Sequence, residues 1–139
     1  MAAEFTKKKL MGFNEYKVFK VVEDDVSRMR SGHRVFAQTS LGEILQSSDG
    51  RAHSSINSKR IDILVIAPDG YPAVAIEYQG EGHYQGNAAA RDAVKKEALR
   101  KAGVRYLEVS HGMSPDAVRG LLRAALGYSA TVVDRARRA

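Results

Sequence analysis

The chain has 139 residues, 44% hydrophobic and 27% charged, which suits one domain with a single modest core. It has 22 Lys and Arg against 16 Asp and Glu, and the net charge of +6 favours a polyanionic partner without specifying one. The lack of cysteine excludes disulfides and thiolate metal sites, and no apolar run approaches the ~20 residues of a membrane span. A cytoplasmic location and no membrane partner are expected. The lysine-rich first residues lack the apolar stretch of a secretory leader.

The first 13 residues, with Lys7, Lys8 and Lys9, read as a basic arm. Residues 14–30 predict an amphipathic helix, with Val18, Val22, Val26 and Met29 on one face, Asn14 as its cap and Ser31-Gly32 as its stop. Residues 33–39 read as a short strand and 41–45 as one helical turn. The polar stretch 46–58 reads as an exposed flexible loop. Two apolar strands follow, 60–67 and 73–79, joined by Pro68-Asp69-Gly70-Tyr71. Residues 87–102 predict a helix with Val94, Ala98, Leu99 and Ala102 as its inner stripe. Residues 104–109 form a strand. Ser114-Pro115-Asp116 starts a last helix burying Val118, Leu121, Leu122 and Ala125. The stretch 127–139 is a basic tail. One domain over 14–126 is expected, an α/β fold in which a mixed sheet is covered by helices.

Two acids interrupt the paired strands. A two-residue turn centred on Asp69-Gly70, or a four-residue loop over the same stretch, sets Asp62 directly opposite Glu77. Side chains alternate along a strand, so both carboxylates fall on one face. Like charges across a ladder repel, and a divalent cation between them turns that repulsion into a binding site. This register requires a turn of even length and no bulge.

Asp62 followed by Glu77-Tyr78-Gln79 resembles the split motif of the PD-(D/E)XK nuclease superfamily. The flanking text, Ser58-Lys-Arg-Ile-Asp-Ile-Leu-Val, Ala75-Ile-Glu-Tyr-Gln, His83 and the run from Arg91 to Val104, resembles the bacterial domain of unknown function 2726. That family is similar to the very-short-patch repair endonucleases. The resemblance covers about residues 14–126. It implies a restriction-endonuclease-like three-layer core, a four-stranded mixed sheet in α-β-β-β-α-β-α order, and cleavage of phosphodiester bonds, with DNA as the expected substrate. Mg²⁺ is the implied cofactor and Mn²⁺ its substitute. A homodimer or a larger DNA-processing complex is the implied assembly.

Carried over by position, Asp62 and Glu77 match the two metal-binding acids, and the Tyr78 carbonyl a third ligand. Gln79 stands where the superfamily usually has lysine, and an uncharged amide cannot offset charge at phosphate. Lys95, on the face of the next helix that also carries Arg91, is the candidate replacement. Glu15 matches a metal-binding glutamate of the superfamily's first helix; it also reads simply as a first-turn acid favoured by the helix dipole. Lys59, Arg60, His83 and Arg91 are the candidate nucleic-acid contacts. Two further readings fit the same residues: a nuclease-fold module that binds nucleic acid without cutting, and a protein-interaction domain whose acids are surface decoration.

Overall fold

A computed structural model describes residues 2–80 and 88–127, the side chains of 88–92 excepted. The order of elements is α1 (Phe13–Met29), β1 (Arg34–Ser40), a 3₁₀ turn (Leu41–Glu43), α2 (Gly50–Ile56), β2 (Arg60–Ile66), β3 (Pro72–Gln79), α3 (Ala88–Lys101), β4 (Arg105–Ser110) and α4 (Pro115–Ala125). The four strands make one mixed sheet in the order β1-β2-β3-β4. The first two pairings are antiparallel, and β3 and β4 run parallel, joined through α3. The fold is α/β.

The two central strands are apolar on both faces because both faces are covered. Ile63, Val65, Val74 and Ile76 pack against Val22 and Val26 of α1 and Val118 and Leu122 of α4. Leu64 and Ala75, with Ile61, pack with Leu99 of α3, Leu41, Leu45, Ile56 and Val104. Each buried Val, Leu or Ile contributes about 1.5–3 kcal/mol relative to exposure. Against that background Glu77, only 6% exposed, is a costly residue to bury.

Several expectations need correction. Asn14 does not cap α1: the helix begins one residue earlier, with Gly12 in the cap position and no side-chain cap. Residues 46–58 are not simply a loop, because α2 forms within them. Asp49 Oδ1 accepts from the backbone N–H of Arg51 (2.9 Å) and Ala52 (3.4 Å), and Ile56 is buried. One cap and one apolar anchor suffice for a two-turn helix that otherwise faces water. Gly42 allows the close approach, since a Cβ there would lie 2.9 Å from the Asn57 carbonyl oxygen. In α3 the inner stripe is rotated. Leu99 is buried, but Val94 is 43% exposed and Ala102 is exposed. Leu121 of α4 is also exposed. Asn87 and the tail from residue 128 lie outside the described residues.

The hairpin turn differs as well. The backbone N–H of Ala67 donates to the Tyr71 carbonyl (2.8 Å) and that of Gly70 to Ala67 (2.9 Å), so three residues, Pro68-Asp69-Gly70, form the loop. Gly70 takes the left-handed conformation (φ 88°) that closes such a loop. A one-residue slip then follows, with Ile66 opposite Pro72 but Val65 opposite Val74. The odd loop and the bulge cancel. Ile63 faces Ile76, and one step further Asp62 comes level with Glu77.

Candidate functional site

Asp62 near the start of β2 and Glu77 near the end of β3 meet at one end of the sheet. The backbone N–H of Asp62 donates to Glu77 Oε2 (3.2 Å), and that of Tyr78 to Asp62 Oδ2 (2.9 Å). Lys95 of α3 completes the arrangement. Its ammonium is ion-paired to Glu77 Oε1 and donates to the Arg60 carbonyl at 3.1 Å. The helix following β3 therefore brings a lysine to the acid pair while Gln79, half-buried, ends the strand two residues past Glu77.

Glu15 approaches from α1. Gln38 Nε2 donates to Glu15 Oε2 (3.1 Å) and to Asp62 Oδ1 (3.4 Å), bridging the first helix and the second strand. Gln38 was not among the residues singled out by sequence. It sits inside β1 with φ 51°, a left-handed backbone that costs a non-glycine residue on the order of 1 kcal/mol. No periodicity or motif marks it; a glutamine level with Asp62 across the sheet is visible only once β1 is paired to β2.

The electrostatics are unbalanced. Burial, a side-chain hydrogen bond shared with the Asp62 carboxyl and the charge of Asp62 push the Glu77 carboxyl up to about 8 despite Lys95. Burial and the Asp62 charge push Glu15 up to about 7, against the lowering effect of the Gln38 amide. Among the described residues, the carboxyl groups of Glu15, Asp62 and Glu77 share one sheet end with Lys95.

Among the described residues, no three Asp, Glu, His or Cys side chains are arranged as a metal cage. The donor set does fit a hard cation of the magnesium type, which is commonly held by one or two carboxylates, with water and substrate completing the shell. Asp62 and Glu77 would supply the carboxylates and Tyr78 a carbonyl. Each oxygen of the pair takes at least one protein hydrogen, and an ionised carboxylate oxygen has two lone pairs.

Residues 7–126 match the family model described as "Protein of unknown function (DUF2726)". The chain belongs to the DUF2726 family. It is similar to an uncharacterized protein of Haemophilus influenzae, 51% identical over 106 residues that cover 76% of this chain and 56% of that protein. It is also similar to the uncharacterized protein y4bI of Sinorhizobium fredii, 46% identical over 123 residues that cover 88% of this chain and 89% of the relative. The chain thus spans about half the length of the Haemophilus protein. No solved structure matches. The DUF2726 match takes in Glu15, Gln38, Asp62, Glu77, Gln79 and Lys95.

The remaining candidates are placed less centrally. Arg60 is exposed at the start of β2 and enters the site through its carbonyl; Lys59 precedes it, half-buried. His83 and the side chain of Arg91 lie outside the described residues. No helix among the described residues is long and apolar enough to cross a membrane.

Proposed function

We propose that this DUF2726 chain is a metal-dependent nuclease of restriction-endonuclease-like fold that hydrolyses phosphodiester bonds, with DNA as its substrate. The observation that carries this reading is the convergence of Asp62 and Glu77 with Lys95 at one sheet end. With the short α2 taken as an insertion between β1 and β2, the element order, a helix, three antiparallel strands, then helix, strand and helix, agrees with the order that fold implies.

Asp62, Glu77 and the Tyr78 carbonyl would hold Mg²⁺, or Mn²⁺ in its place, and the ion supplies Lewis-acid polarisation of a phosphate oxygen and acidification of water. The chain's own residues do the rest. Tyr78 N–H and Gln38 Nε2 fix the Asp62 carboxylate, and the Asp62 N–H and Lys95 fix Glu77, so neither acid has to be ordered when substrate arrives. The Gln79 amide orients the attacking water by hydrogen bonding. Lys95 of α3 offsets the charge that builds on the phosphate oxygens.

The test is incubation of covalently closed duplex and single-stranded circles with and without Mn²⁺, beside an Asp62→Asn control. Metal-dependent nicking lost in Asp62→Asn supports the reading; equal nicking by both proteins refutes it.

One observation favours a second reading. Lys95 is already committed to Glu77, and Gln79 is uncharged, so a module that binds nucleic acid without cutting is the alternative. A salt-sensitive gel shift with no cleavage under either metal would select it.

A further inference from the structure

Tyr78 belongs to two places. Its backbone lies in the acid site, while strand alternation sends its ring to the α1–α4 side of the sheet. There the phenol lies 3.0 Å from Nδ1 of His111. The ring helps line a cleft of about 340 Å³ with Asn14 and Lys17 from the start of α1 and with Ser110 and His111 at the end of β4.

The chemistry of this cleft is opposite to that of the acid site. Among the described residues, its lining includes a lysine, an imidazole, hydroxyls and an amide, and no carboxylate. The Lys17 ammonium sits 4.3 Å above the Phe13 ring. Tyr78 and His111 share one hydrogen, and the pair carries a second polar hydrogen on either the phenol or the imidazole. The start of α4 borders the cleft but adds little. Its Ala117 N–H donates to the Ser114 hydroxyl (3.1 Å), its Val118 N–H to the Ser114 carbonyl (3.0 Å), and Pro115 has no N–H. Affinity for an anion therefore rests on the side chains.

The geometry points to a subsite for one backbone phosphate of a nucleic-acid strand, at the same sheet end as Asp62 and Glu77 but on its α1–α4 face. This rests on the nuclease reading for its substrate class. The volume, room for roughly ten waters, accommodates a phosphate and its sugar. Lys17, Ser110 and His111 are exposed, which suits a charge on a chain passing over the surface. Tyr78 belongs to both positions, so a strand that rounds this sheet end passes from the cleft to the acids.

The test measures binding of a fluorescent single-stranded oligothymidylate in EDTA by anisotropy, and its cleavage in Mn²⁺. In the variant carrying both Lys17→Ala and His111→Ala, binding weakens about tenfold and the slope of log affinity against log salt falls by roughly one. KM rises by a similar factor with kcat within about twofold. Lys20→Ala removes one charge from α1 outside the cleft and stays within about twofold of wild type on every measure. Resonances of the His111 ring shift when the oligomer is added to the unsubstituted protein, which requires no variant to fold. Unchanged affinity, salt slope and KM in the double variant, or no shift at His111, overturns the subsite while leaving cutting intact. Cleft-dependent oligomer binding without any cutting by wild type upholds the subsite and overturns only the nuclease reading. Inorganic phosphate that saturates the cleft without displacing the oligomer makes it a free-phosphate site and overturns the proposal.

Discussion

Two buried acids of this chain meet a cation, and the two pairs differ in kind. Asp25 of α1 is wholly buried and takes both arms of the Arg123 guanidinium from α4, at 2.7 and 3.2 Å. The fork matches the carboxylate, and the hydrogen bond to Asp25 raises the Arg123 pKa further, so charge is balanced where it is buried. Glu77 is nearly as buried and meets the single ammonium of Lys95, but a second carboxylate crowds it. The first pair clamps two helices across one face of the sheet. The second crowds carboxyl groups at a sheet end, where burial and the neighbouring Asp62 favour a proton on Glu77 despite its lysine.

Breaking each pair should separate these roles. The largest effect expected is on chemistry. Asp62→Asn or Glu77→Gln reduces metal-dependent nicking to background, and Asp62→Asn leaves the melting temperature unchanged or higher because it removes a charge the fold holds only at a cost. A circle-nicking assay alongside scanning calorimetry reads both. Next in size, Arg123→Ala strands Asp25 in the core and lowers stability by about 3 kcal/mol, measured by urea unfolding. Its intrinsic cutting per folded molecule is unchanged. If Arg123→Ala instead leaves stability intact, the contrast between the pairs collapses. Lys95→Met should slow cutting about 10²-fold with little change in KM, as loss of a charge that acts on the transition state does.

The smallest effect is on pH dependence. The folded Glu77 carboxyl holds its proton more tightly than the ordinary value of 4.5, up to about 8. That preference stabilises the protein below about pH 4.5 and is lost as pH rises through about 8. Glu15, raised to about 7, acts in the same direction. Without metal, the melting temperature should fall between about pH 5 and pH 8, and saturating Mg²⁺ should flatten the decline. A flat profile in EDTA would show that the acid cluster is not frustrated.

Much of this was written locally. The apolar runs of β2 and β3, the Ser114-Pro115 start of α4 and the amphipathic stripe of α1 each carry their own signal, because one face or both must be buried. Local signal failed where a helix depends on a single anchor, as α2 does on Ile56, and where a stripe is set by a neighbour. Val94 looks like core by spacing, yet α3 is turned so that Lys95 reaches the sheet. The spacing from Asp62 to Glu77 gave the correct facing pair for an incorrect reason, since a three-residue loop and a bulge offset each other.

The sequence by itself determined the α/β class, the two acids that interrupt apolar strands and the family to which the chain belongs, because these follow from residue type and short-range spacing. Only the tertiary structure decided that Gln38 bridges Glu15 and Asp62, that Lys95 pairs with Glu77, and that Tyr78 reaches His111. Those contacts join residues 18 to 33 positions apart, and what brings them together is the packing of helices on the sheet, which no local pattern encodes.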